Sequence, residues 1–129
     1  MDTRTRLGLL LAFAFVLGTR PAAAQAPAAT GVTPAAIALG DSLYHSKGNC
    51  YACHGANAQG AVGPNLTDAE WIHSDGSYEA IVKQITTGVT GEESKSKIPM
   101  PPKGGSAITD DEVKAVAAYV YSLGHKKPS

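Results

Sequence analysis

An all-α domain of about four helices is predicted by three observations: four segments carry apolar residues at helical spacing, each opens on a capping residue, and no stretch alternates apolar with polar side chains as a half-buried strand does. The first helix begins at Thr33 as cap with Pro34 in the first turn, where the missing N–H costs nothing. Ile37, Gly40, Leu43 and Tyr44 then fall on one face as far as about His45. A short second helix is predicted from Thr67-x-x-Glu70, the spacing of a capping box, opening "DAEWI". Ser77 caps the third, where Tyr78, Ile81, Val82 and Ile85 make a stripe that stops at Gly88. Thr109-x-x-Glu112 opens the last; Val113, Val116, Ala117, Val120 and Leu123 line its inner side and Gly124 ends it. The acidic run Asp110, Asp111 and Glu112 occupies the first turn, where negative charge meets the positive end of the helix dipole. That cluster is therefore structural.

Before the first helix the chain reads as a leader and a tether. "MDTRTRLGLLLAFAFVLGTRPAAAQ" has a basic start at Arg4 and Arg6, an apolar run from Leu7 to Leu17, and small residues at Ala22, Ala23 and Ala24 for cleavage. Residues 1–24 are expected to be an export signal; the alternative is an uncleaved membrane anchor, against which stand the shortness of the run and the nearness of Arg20. No paired arginines appear, so the route is the general one and the chain crosses unfolded. Residues 25–32, "QAPAATGV", read as a disordered tether, 33–125 as the folded domain and 126–129 as a tail.

Cleavage after Ala24 removes Arg4, Arg6, Arg20 and Asp2, so that 11 basic and 11 acidic side chains become 8 and 10, a net charge of −2. Such a balance gives no support to nucleic-acid binding, which wants a basic face. The remaining domain has one Trp, five Tyr and, with the leader gone, no Phe. So thin a set of large apolar side chains leaves room for something else to complete the core. Between the third and last helices, "GVTGEESKSKIPMPPKGGSA" runs about twenty residues with no structure of its own, which a compact domain seldom carries without a use.

The strongest chemical signal is Cys50-x-x-Cys53-His54. Two thiols at this spacing add to the two vinyl groups of a haem, and the adjacent imidazole is then placed to bind iron. Attachment of this kind is made outside the cytoplasm on an exported chain, in agreement with the leader. Three other readings compete. A Cys50–Cys53 disulfide closes a tiny loop and adds little stability. A thioredoxin-like redox pair expects a βαβ setting that the pattern lacks. Zinc needs four ligands, and adjacent Cys53 and His54 sit awkwardly in one tetrahedron.

A haem iron has a second axial position, and the candidates are Met100, His45, His73 and His125. With Met1 removed, Met100 is the remaining methionine. It lies in "KIPMPPKGG" without an apolar stripe to join, and Pro99, Pro101 and Pro102 stiffen the segment around it. The three histidines read as solvated: His45 near a helix end, His73 in a turn, His125 in the tail.

These pieces together resemble the small monohaem class I cytochromes c. The resemblance covers about Thr33 to Leu123 and is carried by Gly40-x-x-x-Tyr44, "CYACHG", "GPNLTD", "MPPKGG" and "AAYVYSL". It implies a class I cytochrome c fold, about four helices wrapped around one covalently attached haem c. It also implies that the Pro64 carbonyl accepts a hydrogen bond from His54, that Gly40 lets the terminal helices cross, and that Tyr44 packs near Tyr119 in the pocket wall. Trp71 either bonds a haem propionate, as a tryptophan does in some relatives, or serves as plain core. The segment from "GPNLTD" to "TTGV" is similar to part of the cytochrome subunit of cbb-type haem-copper oxidases. That subunit carries two haems and a membrane helix, where this sequence has one Cys-x-x-Cys-His and one hydrophobic run.

The function implied is one-electron transport in the periplasm, with redox proteins (an oxidase, dehydrogenase or reductase) as partners. Neither nucleic acid nor zinc is expected, and membrane contact comes only through the leader or membrane-bound partners. No nucleophilic triad, carboxylate pair or phosphate-cradling loop argues for an enzyme. Lys47, Lys95, Lys97 and Lys103 flank the two haem-contacting segments and either steer an acidic partner or merely solubilise the loop. Two alternatives stay open: a subunit of a larger redox enzyme, and a sensor or peroxidase whose sixth ligand is labile.

Overall fold

Local chemistry starts the helices where the caps stand. The computed structural model describes residues 29–126; the leader expected over 1–24 lies outside the described residues. Thr33 Oγ1 accepts from the Ala36 N–H and opens α1 (Pro34–Tyr44). Ser77 Oγ accepts from Ala80 and opens α3 (Tyr78–Thr87), while Thr109 and Glu112 form a reciprocal capping box at the head of α4 (Asp110–Gly124). Between α1 and α3 a single turn, α2 (Tyr51–His54), carries the second cysteine and the histidine, and Pro102–Gly105 forms a 3-10 turn before α4. Strands are absent among the described residues, which hold one isolated bridge.

Three expectations need correction. No helix follows Thr67: Asn65 Oδ1 accepts from the Thr67 N–H at 2.8 Å and from its hydroxyl at 2.7 Å, and Asp68 Oδ1 accepts from the Glu70 N–H at 3.0 Å. Successive side-chain turns thus satisfy the backbone in place of a helix. The long loop is also not structureless. Val89 and Met100 exchange two backbone hydrogen bonds, 2.8 and 2.9 Å, and Thr90 Oγ1 donates to Glu93 at 2.7 Å. Finally, the last residues of the tether are docked: Ala29 and Val32 pack on the core, and the Tyr78 ring lies over Gly31.

The centre of the molecule is α4, which buries Val113, Ala115, Val116, Ala117, Ala118, Val120 and Leu123 and packs on both α1 and α3. The α1/α4 crossing is made at Gly40, where a Cβ would overlap the carbonyl oxygen of Ala115 and stand 2.8 Å from Tyr119 Cβ. Closing the helices to backbone contact brings Tyr44 against Tyr119, edge to face, with ring centroids 5.4 Å apart. Tyr44 is wholly buried, and its hydroxyl donates to the Gly55 carbonyl at 2.8 Å. One residue on, His45 places Nε2 2.7 Å from the Ala56 carbonyl and Nδ1 2.9 Å from the Asp41 carbonyl and 3.0 Å from its carboxylate. Both ring nitrogens face acceptors, so the protonated ring is the form that satisfies both contacts, and these bonds raise the His45 pKa.

Gly40→Ala is expected to destabilise the fold by about 3 kcal/mol, the upper part of the overpacking range, because the obstacle is backbone and cannot rotate away. A urea midpoint within experimental error of wild type contradicts the crossing described here. His45 makes a pH-dependent contribution of the opposite sign to a carboxylate. Its folded pKa lies above the unfolded value of 6.5, so its stabilisation is complete below about pH 6.5 and fades as pH rises through the folded value. The expected effect is no more than about 1 kcal/mol for so exposed a group. His45→Gln should flatten the Tm-against-pH curve in that window relative to wild type.

Candidate functional site

The Cys-x-x-Cys-His stretch is shaped by its neighbours before any chemistry begins. Gly48 and Asn49 turn the chain out of α1, and the His54 N–H donates to the Cys50 carbonyl at 3.0 Å, closing the turn that holds both cysteines. Both thiols are free, Cys50 half-buried and Cys53 exposed. Burial pushes the Cys50 thiol up to about 11, which keeps it protonated and is the reverse of the lowered pKa of a redox-active cysteine.

His54 is buried, and its Nδ1 lies 2.9 Å from the Pro64 carbonyl oxygen. A carbonyl only accepts, so Nδ1 carries the proton and donates, and Nε2 keeps a free lone pair. Burial holds the His54 pKa below the usual histidine value, against the smaller upward pull of the Pro64 bond. The ring is therefore neutral at pH 7, the form in which imidazole ligates metals.

Cys50, Cys53, His54, Pro64, Tyr44, Trp71 and Met100 all line one cavity, with an empty volume of about 1170 Å³ when open solvent at its mouth is included. Its deep walls are Leu66, Ile81, Ile85, Val116 and Val120. A pocket of this kind, apolar with a few convergent donors, suits a large flat cofactor. A haem fits the donor set: two thiols, one neutral imidazole with Nε2 free, and one thioether on a separate segment. Tyr119 is not on the lining; it backs Tyr44 from α4. Trp71 does line the cavity and also packs on the core, with His125 beside it at 6.2 Å.

Of the other histidines, His45 and His125 are engaged away from the cavity. His45 clasps Ala56, and His125 stacks on Tyr121 at 3.9 Å and bonds its carbonyl. His73 stands on the cavity lining together with Gln84, Ser94 and Ser96, which form its more polar side. The lysines expected to steer a partner are mostly paired within the chain: Lys47 with Glu112 at 2.7 Å, Lys103 with Asp110 at 2.8 Å, Lys95 with Glu70 at 3.5 Å. Lys47 and Lys103 hold the carboxyls of Glu112 and Asp110 below their ordinary range. Lys97 bonds the Glu92 carbonyl. Sequence spacing alone does not reveal that Lys47, Lys95 and Lys103 each have a carboxylate beside them while Lys97 meets only a backbone carbonyl.

Residues 35–120 match the family model described as cytochrome c oxidase, cbb3-type, subunit III. The chain belongs to that family. A cbb3-type cytochrome c oxidase subunit CcoP from Rubrivivax gelatinosus is 43% identical over 91 residues, covering 70% of this chain and 27% of that protein. A subunit FixP from Bradyrhizobium sp. is 42% identical over 83 residues, covering 61% of this chain and 25% of its own length. This cytochrome c domain thus spans about a quarter of the length of those relatives. Among solved structures, cytochrome cL from Methylophaga aminisulfidivorans superposes with a TM-score of 0.58 at 25% identity, over 73% of this chain and 57% of that one. No helix among the described residues is long and apolar enough to cross a membrane.

Gly63 is a site residue that sequence reasoning passed over in favour of its neighbour Pro64. A Cβ there would lie 2.9 Å from His54 Cε1 and Nδ1 and 3.3 Å from Nε2, so the absence of a side chain makes the ring's seat. Gly63→Ala is expected to cost about 1–3 kcal/mol and to move the imidazole off Pro64. An unchanged His54 Nδ1–H resonance in the NMR spectrum of that variant shows instead that the ring has room.

Proposed function

We propose that the chain is a periplasmic one-electron carrier with a single haem c, bonded through Cys50 and Cys53 and ligated by His54 and Met100. The observation that carries this reading is that these four side chains, scattered over fifty positions, line one apolar cavity with the His54 tautomer already set for ligation. A haem bound here supplies an iron that cycles between two oxidation states. The protein does the rest. Pro64 orients His54 and keeps its proton on Nδ1. The soft thioether of Met100 would favour the reduced metal, and the walls of Ile81, Ile85, Val116 and Val120 would exclude water from it, which would raise the potential. With His54 and Met100 both held to the iron, no site would remain for oxygen or substrate, so electron transfer is the chemistry that these residues would support.

Ion pairing within the chain weakens the field that the lysines around the cavity would project toward a partner. Most of the lysines near the cavity have a carboxylate within 4 Å, which cancels their field at a distance. A second reading, a subunit held in a cbb3-type oxidase, is favoured by the family match. Export by the 1–24 leader, with or without cleavage, is common to both.

Purified exported protein should show one haem by intact mass, and no free thiol at Cys50 or Cys53. Reduced wild type is expected to bind carbon monoxide barely, and Met100→Ala to bind it at once. Rapid binding by wild type indicates the labile-ligand sensor or peroxidase, and colourless protein with two free thiols overturns the whole proposal. Co-migration with oxidase subunits on size exclusion of a native extract selects the subunit over the free carrier.

A further inference from the structure

Gly88 ends α3 with φ 72 and ψ −170, a combination open to glycine and strained for other residues. Its N–H still belongs to the helix, donating to the Gln84 carbonyl at 2.8 Å. The next residue has already changed partners: the Val89 N–H donates to the Met100 carbonyl at 2.8 Å, and the Met100 N–H donates back to Val89 at 2.9 Å. Gly88 itself abuts the same segment. A Cβ on it would overlap the Met100 carbonyl oxygen and stand 2.9 Å from Pro101 C and Pro102 N. The end of α3 thus bonds the backbone of Met100 and touches the two prolines after it.

Upstream, α3 is fixed by Ile81 and Ile85, both buried and both on the wall of the cavity that His54 lines. Pro99, Pro101 and Pro102 make the Met100 segment stiff, but stiffness alone does not place it. A stiff segment needs an anchor, and the Val89 bridge with the bare Gly88 backbone is that anchor. We infer that Gly88 and Val89 are positioning residues for Met100, setting the depth from which its thioether reaches into the cavity. The inference rests on Met100 being the second axial ligand, as proposed above. Metal–ligand distances hold to about ±0.2 Å, so a side chain at 88 that pushes the segment outward by roughly an ångström exceeds what the bond tolerates.

The experiment uses the haem-loaded protein and compares the single variants Gly88→Ala, Val89→Pro and Met100→Ala, with the first two also combined with Met100→Ala. Val89→Pro leaves Gly88 in place and removes the N–H that the Met100 carbonyl accepts, so it decides the matter if Gly88→Ala does not accumulate. Carbon monoxide affinity of the reduced form, the sulfur-to-iron absorption band of the oxidised form and the thermal midpoint are recorded for each. The expected result is that Gly88→Ala and Val89→Pro weaken the band and raise carbon monoxide affinity by about tenfold or more, about 1.4 kcal/mol. Neither adds anything in the Met100→Ala background, since both act through that sulfur. If Met100→Ala opens the iron while the other two lower only the thermal midpoint and keep the native band, the positioning role is wrong and the ligation reading stands. If Met100→Ala leaves carbon monoxide binding unchanged, ligation by Met100 is wrong and the positioning role falls with it.

Discussion

The close crossing of α1 and α4 at Gly40 and Ala115 is the constraint on which the rest of the molecule hangs. Because the helices meet backbone to backbone, the end of α1 is held where Tyr44 and His45 can reach across to Gly55 and Ala56. Those two carbonyls flank the turn that follows the cysteines and His54. One missing side chain, forty residues into the chain, therefore fixes the height of the turn that presents the thiols. The same crossing seats Tyr119 behind Tyr44, so the pocket wall is supported from the far side.

The cavity is then closed from two directions by segments of different character. On one side a short helical turn is locked by backbone bonds, and His54 is pinned by Pro64 with Gly63 leaving space for the ring. On the other, irregular chain is stiffened by three prolines and tied to the end of α3 by the Val89–Met100 bridge. The asymmetry has a physical sense. On the proposed reading, covalent thioether links at Cys50 and Cys53 would hold one side wherever the backbone puts it, whereas Met100 would have only its own bond to iron and would need a rigid mount. An interior poor in large aromatic residues completes itself with what the cavity takes in.

How much of this was legible in the sequence depended on how local the physics is. Thr33, Ser77 and Thr109 cap as their spacing foretells, because a cap bonds residues two or three positions away. The stripes Tyr78–Ile81–Ile85 and Val113–Val116–Val120 are buried because period 3.6 leaves few ways to fold them. Thr67 carries the same signature as Thr109 and fails, since Asn65 two residues earlier offers its backbone and hydroxyl a nearer acceptor. The bridge in the long loop and the docking of the last tether residues are not legible in the sequence for a different reason. Their partners, Val89 for Met100 and Tyr78 for Gly31, are chosen by distance in space and leave no periodic trace.

The sequence by itself determined the helical class and the starts of the three long helices, and it displayed the residue types of the candidate site, because Cys50-x-x-Cys53-His54 and a proline-flanked Met100 are complete at the level of residue type and spacing. Tertiary structure alone decided which nitrogen of His54 is free, which lysines have carboxylate partners, and why Gly63 and Gly88 must be bare. These are questions of close approach between segments far apart in the chain, and an approach of 3 Å is settled by the packing of whole helices, which no local pattern of residues encodes.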